Sequence, residues 1–476
     1  VNVFINHKFF LGGALLFFAA FSFAAFFLHQ PLMVFVPLLF VGAFYLLQYP
    51  LLLLFLLIAA IPWSAEMTIG TFGTDLPDEP LMLLLSFAAL ALFASKKEPR
   101  KDLFHPLLLL LLAQMIWIGF TVLTSTDVVL SAKYLLAKSW YLLAFVAAPL
   151  LMQIDQTAIK RIALVLCISM GLVTMVTIVR HAAFGFRFDA INDALTPFFR
   201  NHVAYSALLA FTLPLQVAFL AGQKRHRGWL YFFIILTLTA LYFSYSRGAW
   251  LSIISGGLSY WLLKKKWLTW SYVIGLLLMI ALVFWLKKDE RYVRYAHDYQ
   301  TTIFHEDLSE HLVATYKMND VSAAERFYRW IAGVRMVKDN WKTGIGPNTF
   351  YKNYKSYTVP AYKTWISKNE EQSTVHNYFL LQLVEQGIIG LLLFSVLVGA
   401  MLFYAQRIYH RAKDIFWRRT AAVISALLVM ICTLNLLSDL IETDKVGSVF
   451  YLCVAVLVVA DRKSRSDAAS HIQSIP

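Results

Sequence analysis

Charge is scarce in this chain. Only 15% of its 476 residues are Asp, Glu, Lys or Arg, where a soluble domain of this size would carry roughly a quarter. Cysteine is scarce too. Cys167, Cys432 and Cys453 all lie within apolar stretches, which excludes a disulfide framework and a CxxC metal site. The chain has no internal repeat and no low-complexity tract. Its apolar stretches also lack two-residue alternation, which excludes the strands of a membrane barrel.

What fills the sequence is apolar residues, at 59%, with a mean hydropathy of +0.63. They form runs such as 9–28, 106–123 and 267–286, and about 20 such residues cross a bilayer core as helix. Backbone groups in lipid must be paired internally, so an unbarrelled chain of this kind spans as helices. Runs fall near 9–28, 31–48, 50–63, 80–95, 106–124, 134–152, 162–179, 202–222, 229–245, 248–263, 267–286, 377–405, 420–438 and 446–460. The expectation is an all-α polytopic membrane protein of 12–14 transmembrane helices, with Gln48-Tyr49-Pro50 as a possible re-entrant break. The run at 9–28 lacks an evident small-residue cleavage site and reads as a retained helix.

The formal charge of +14 raises the question of nucleic acid, but position argues for a membrane. The basic clusters sit in short turns between apolar runs: Lys96/Lys97/Arg100/Lys101, Lys160/Arg161, Lys224/Arg225/Arg227, Lys264/Lys265/Lys266, Arg407/Arg411/Lys413/Arg418/Arg419 and Arg462/Lys463/Arg465. All fall on one side of the predicted bundle, as the positive-inside rule requires of cytoplasmic loops. Three regions follow: membrane helices over 1–286, a long outer loop over 287–375, and membrane helices with a short tail over 376–476. The loop exceeds ordinary connections, and Trp330, Trp341 and Trp365 among many tyrosines predict a folded, mainly helical unit. Within it, Ser322-Ala-Ala-Glu325 reads as a capping box. Phe327, Trp330, Ile331, Val334 and Val337 follow at helical spacing, and Gly344 with Gly346-Pro347 ends the unit.

Three positions on the outer face pair a basic side chain with a constrained setting. Arg247, in Ser244-Tyr-Ser-Arg247-Gly-Ala-Trp250-Leu251, lies between two nearly abutting apolar runs and either snorkels to headgroups or lines a site. Arg326 stands in the first turn of the loop helix, where a solvated face or a pairing with Glu325 is the plainer role. His376, in Thr374-Val-His376-Asn377-Tyr378, marks where the loop re-enters the membrane. A neutral imidazole there suits a general base, and a helix-capping or interfacial histidine is the alternative. Arg200, beside Asn201-His202, is a further candidate on the same face, with an interfacial anchor equally possible. Arg180 and Arg187 carry little weight. Asp75, Asp78 and Glu79 could hold a divalent cation, but Pro77 and Pro80 around them favour a turn or helix start. Asp439 and Glu442 are costly near lipid and suggest a polar interior.

The stretch His376-Asn377, nine residues, Gly387, two residues, Gly390 resembles the H-[NSQ]-x9-G-x-x-G pattern of bacterial O-antigen ligases, and Arg247-x3-Leu251 resembles their R-x3-L element. Arg326 with Trp330, followed by Gly344-Ile-Gly-Pro-Asn-Thr-Phe350, is similar to a segment of the wider O-antigen ligase/polymerase superfamily. The likeness covers roughly 195–460. It implies a GT-C-like glycosyltransferase of the bacterial inner membrane, independent of metal and of any cofactor, with its site facing the periplasm. The donor it implies is a glycan on undecaprenyl pyrophosphate, and the acceptor is a hydroxyl of lipid A-core oligosaccharide. By this resemblance Arg247 and Arg326 bind the pyrophosphate, His376 handles the acceptor proton, and Asn377, Trp330 and Arg200 are further substrate-binding candidates. The partners are the two substrates and the bilayer, with no nucleic acid. A polymerase, whose acceptor is another lipid-linked unit, is the near alternative. A protein O-oligosaccharyltransferase and a polysaccharide transporter are the remoter ones.

Overall fold

The computed structural model describes residues 20, 35–69, 72–95, 104–222, 227–287, 321–358 and 373–472. The first apolar run apart from residue 20, the basic turns at 96–101 and 224–225, Trp365, and residues 288–320 and 359–372 of the long loop lie outside them.

Helices dominate. In chain order they are α1 (Phe35–Gln48), α2 (Pro50–Ala60), α3 (Asp78–Ser95), α4 (Pro106–Leu123), α5 (Val128–Met152), α6 (Gln156–Ala183), the short α7 (Ile191–Leu195), α8 (His202–Gly222), α9 (Arg227–Phe243), α10 (Arg247–Lys264) and α11 (Leu268–Lys287). After the undescribed part of the loop come α12 (Val321–Asn340), α13 (Phe350–Tyr357), α14 (Tyr378–Arg411), α15 (Ile415–Asn435) and α16 (Asp444–Ile472). Their starts are written in the sequence. The side chains of Asp127, Asp155, Asn377 and Asp414 each accept a backbone N–H of the first turn of α5, α6, α14 and α15, at 2.8–3.0 Å.

Among the described residues, seven helices are long and apolar enough to cross a membrane: α3, α4, α5, α6, α8, α14 and α15. The chain around Tyr49 and Pro50 bends by 114°, which answers to the expected break there. The apolar helices over 227–243 and 268–282 are shorter than a full span, so the described residues hold seven full spans, or eight with the bent pair, and the expected span at 9–28 falls outside them.

The bundle has two chemically distinct ends. At one, the Arg411 guanidinium meets Asp461 at 2.6 Å, Gln156 donates to Asp414 at 2.6 Å, His410 Nε2 contacts the Leu263 carbonyl at 2.8 Å, and Lys160 lies over the Phe416 ring. The basic turns at 160–161, 264–266, 407–419 and 462–465 therefore gather together, as expected. The other end holds the turns at 61–78, 123–128, 183–202, 244–247 and 436–445.

One element there was not foreseen. Ala65–Ile69 and Phe72–Leu76 form an antiparallel hairpin, β1 and β2, pairing Ala65 with Leu76 and Ile69 with Phe72. Five-residue strands between apolar runs are too short for their period to register in the sequence. Asp75 belongs to β2 rather than to a turn, whereas Asp78 does begin α3, where its Oδ1 accepts the Glu79 N–H at 3.0 Å. Lys445 Nζ donates to the carbonyls of Ile61 and Ser64 at 2.9 and 3.1 Å, clamping α16 under this corner.

Burial, and then the neighbouring Asp444 carboxylate, push the Asp75 carboxyl up to about 7. A carboxyl raised above its ordinary value of about 3.9 favours the folded state when protonated. Its contribution is full below about pH 4 and is lost as pH rises through about 7. Thermal midpoints of the purified protein should fall between about pH 5 and pH 8, and Asp75→Asn should flatten that slope; an unaltered slope in the variant would reject the assignment.

Candidate functional site

His376 sits on the three-residue lead into α14. Val375 is fully buried against α12, where a Cβ at Gly333 would lie 3.1 Å from its Cγ2, and Asn377 is fixed from both ends of its amide. Asn377 Oδ1 caps α14 through the Leu380 N–H, and its Nδ2 donates to the Leu436 carbonyl at 3.0 Å. With both neighbours held, the His376 backbone adopts φ of 52°, a left-handed conformation uncommon outside glycine but one that histidine, like asparagine and aspartate, takes more often than other residues. That turn aims the ring away from the bundle core, and its side chain is 31% exposed.

The turn also brings the ring to Asp439. His376 Nδ1 lies 3.7 Å from Asp439 Oδ1, and Asp439 Oδ2 accepts the Thr374 hydroxyl at 2.6 Å. Burial works to raise the Asp439 carboxyl, but the His376 ring and the Thr374 hydroxyl outweigh it and hold the group below the usual carboxylate range. An ionised carboxylate facing Nδ1 orients the imidazole and leaves Nε2 to face outward as a proton acceptor. Sequence reading missed this partner. Its only signal was the cost of an acid at the edge of an apolar run, and nothing in the sequence linked it to His376.

Arg247 is the first residue of α10, half-buried, at the same end of α15 as His376. A Cβ on the adjacent Gly248 would touch Leu434, two residues before the Leu436 that Asn377 engages. The preceding Tyr245 ties this turn to the 183–202 segment, its hydroxyl donating to the Phe186 carbonyl at 2.7 Å and its ring meeting Phe188 edge-on. Phe188 in turn meets His202 edge-on. Arg200, two residues before His202, is exposed on this flank. Arg180 is committed to the Thr196 and Asp193 carbonyls, and Arg187 to Asp189.

Arg326 and Trp330 arrive on α12, which runs parallel to the first half of α14. The Ile388 N–H donates to the Trp341 carbonyl at 2.9 Å at one end, and Gly333 rests on Val375, Leu380 and Val384 further along. Arg326 lies seven residues before Gly333, about 10 Å along the axis, on the side of the His376 lead. It is half-buried, and Trp330 packs against the core between them with its indole N–H buried and without a hydrogen-bond partner among the described residues. The described part of α12 begins at Val321, so Ser322 lies within the helix rather than at its cap.

The two glycine motifs turn out to be one structure. α14 is broken at Gly387, with φ 67° and ψ −169°, and the carbonyls of Val384 and Glu385 accept the N–H groups of Ile345 and Gly346 at 3.0 Å each. The Glu385 carboxylate accepts the Asn348 and Phe350 N–H groups at 2.8 and 3.0 Å. Gly344 and Gly387 are required by close backbone approach, since a Cβ would lie 2.3 Å from the Glu385 backbone and 2.1 Å from the Lys342 carbonyl, respectively. Both have positive φ as well. The segment 344–350 is thus laced into the break, with Trp117 closing it through an indole bond to the Gln386 carbonyl at 2.8 Å. These glycines hold the scaffold that carries α12 and the His376 lead.

Residues 232–395 match the family model described as O-antigen ligase. That segment contains Arg247, Arg326, His376 and both glycine motifs, and ends inside α14. No curated protein matches the chain.

Proposed function

We propose that this chain, which matches the O-antigen ligase family model over residues 232–395, is a membrane glycosyltransferase acting on lipid-linked glycans, and specifically an O-antigen ligase. In this reading it transfers a glycan from undecaprenyl pyrophosphate to a sugar hydroxyl of lipid A-core oligosaccharide, at the periplasmic face of the inner membrane. The observation that carries the proposal is the His376–Asp439 pair, at the end of the bundle that also bears Arg247; His376 and Arg247 both lie inside the segment that matches the family.

The chemistry follows from the side chains. Asp439 keeps the His376 ring turned so that Nε2 takes the proton of the attacking hydroxyl. The hydroxyl oxygen forms a bond to the anomeric carbon as the bond to the pyrophosphate oxygen breaks. Negative charge then grows on the leaving group, and the guanidinium forks of Arg247 and Arg326 bind its oxygens without a proton to lose. In a site partly closed to water such preorganised charge is the larger share of the rate enhancement. Trp330 supplies an indole donor left open by the described residues, and Arg200 an exposed cation at the rim. Asn377 acts through His376 by fixing the lead that carries it.

The test is an acceptor assay with purified protein. Lipid-linked repeat units are supplied with and without lipid A-core. Core-dependent transfer is expected; chain extension in the absence of core would replace the ligase reading with a polymerase.

A further inference from the structure

Behind the His376–Asp439 pair lies a polar knot that the steps above do not use. Asp439 sits on the connection 436–443 between α15 and α16, whose one regular piece is the short turn Leu440–Glu442. On the His376 side the connection is tied by the Tyr378 N–H donating to the Ser438 carbonyl at 3.1 Å. On the far side the tie is Glu442. Its Oε2 lies 2.8 Å from Lys138 Nζ, its Oε1 accepts the Tyr134 hydroxyl at 3.0 Å, and the Tyr378 hydroxyl reaches it as well.

Lys138 is placed for this and little else. It belongs to the spanning helix α5, its side chain is 7% exposed, and its ammonium faces the rings of Tyr134, Tyr141 and Tyr451 at 5.3, 6.0 and 5.6 Å. A buried ion pair is weak evidence for stability, because desolvation cancels most of its attraction, and its clearest use is to fix one arrangement among several. Here the arrangement fixed is that of a short turn three residues beyond the carboxylate that meets His376.

We propose that Lys138 and Glu442 form a positioning pair that sets Asp439 against His376. The proposal rests on the reading of His376 as the base. Neither residue touches substrate; both act through the turn.

The experiment is a double-mutant cycle on the purified full chain, with turnover measured on the lipid-linked donor and core acceptor. Lys138→Met combined with Glu442→Leu removes both charges together and leaves no lone buried ion. Turnover should fall about 10–100-fold, as expected for a small displacement of a reacting group, with donor KM unchanged. In an Asp439→Asn background the same pair of replacements should cost less than about threefold, because the route through Asp439 is already cut. Equal losses in both backgrounds, or wild-type turnover in the pair variant, would overturn the proposal. Should the pair variant not fold, Tyr134→Phe deletes one donor to Glu442 and carries the same comparison. A few-fold loss that vanishes in Asp439→Asn supports the proposal, and an additive loss or none overturns it. His376→Ala, measured alongside, reports separately on the base: full turnover there removes the underlying reading, whatever the cycle shows.

Discussion

Replacing His376 by alanine should lower transfer by roughly 10²–10⁴-fold, the range a general base supplies, while the protein folds and still binds donor. The expectation of intact folding has a structural basis. The lead into α14 is held by Val375 in the α12 interface and by the two amide bonds of Asn377, not by the imidazole. The ring is a third exposed and packs little apolar surface. Donor affinity should persist because the pyrophosphate is assigned to Arg247 and Arg326. Single-turnover rates with saturating donor separate the two effects, and a variant with near wild-type turnover would refute the role given to this ring. Asp439→Asn should act in the same direction, since the amide can donate toward Nδ1 and favour the wrong ring tautomer.

Gly387→Ala should remove most of the folded protein. Its backbone, at φ 67° and ψ −169°, lies in a region essentially reserved for glycine, and a Cβ there would stand 2.1 Å from the Lys342 carbonyl oxygen. Backbone cannot move aside as a side chain end can, so the clash must displace the 341–350 segment from the break in α14. A loss above roughly 3 kcal/mol is expected, the size associated with strain at a special conformation plus lost buried hydrogen bonds. Gly257→Ala and Gly275→Ala are the controls, because a Cβ at either helical position meets nothing within 4 Å. They should be neutral or stabilise by up to about 1 kcal/mol. Detergent-solubilised yield and thermal midpoint read all three, and a Gly387→Ala protein melting with the controls would show that the break tolerates a side chain.

The sequence spoke most clearly where physics is local. Apolar runs and the basic turns depend on neighbours in the chain, and the helices appear where those signals lie. The positions of Arg247 and His376 at helix starts were legible for the same reason. What lay beyond reach was pairing across the chain. Glu442 could be recognised as an expensive group near lipid, but its compensation by Lys138 depends on how α5 packs beside the α15–α16 connection. Asp439 is the same case. The glycine motifs could be read as patterns, yet their mutual fit, Gly344 on the Glu385 backbone and Gly387 on the Lys342 carbonyl, is a property of two segments brought together by the fold. The hairpin at 65–76 escaped because its strands are shorter than the window in which a period declares itself.

The broken α14 bears on how such a chain is made. In hydrocarbon an unsatisfied carbonyl is costly, and at this break those of Val384 and Glu385 are capped by the amides of Ile345 and Gly346. Those amides belong to a stretch synthesised before the helix it serves. The stretch must therefore already be waiting at the membrane rim when α14 leaves the insertion machinery. Biogenesis of this protein would run in a fixed order, with the 344–350 segment gathered first and the helix completed upon it.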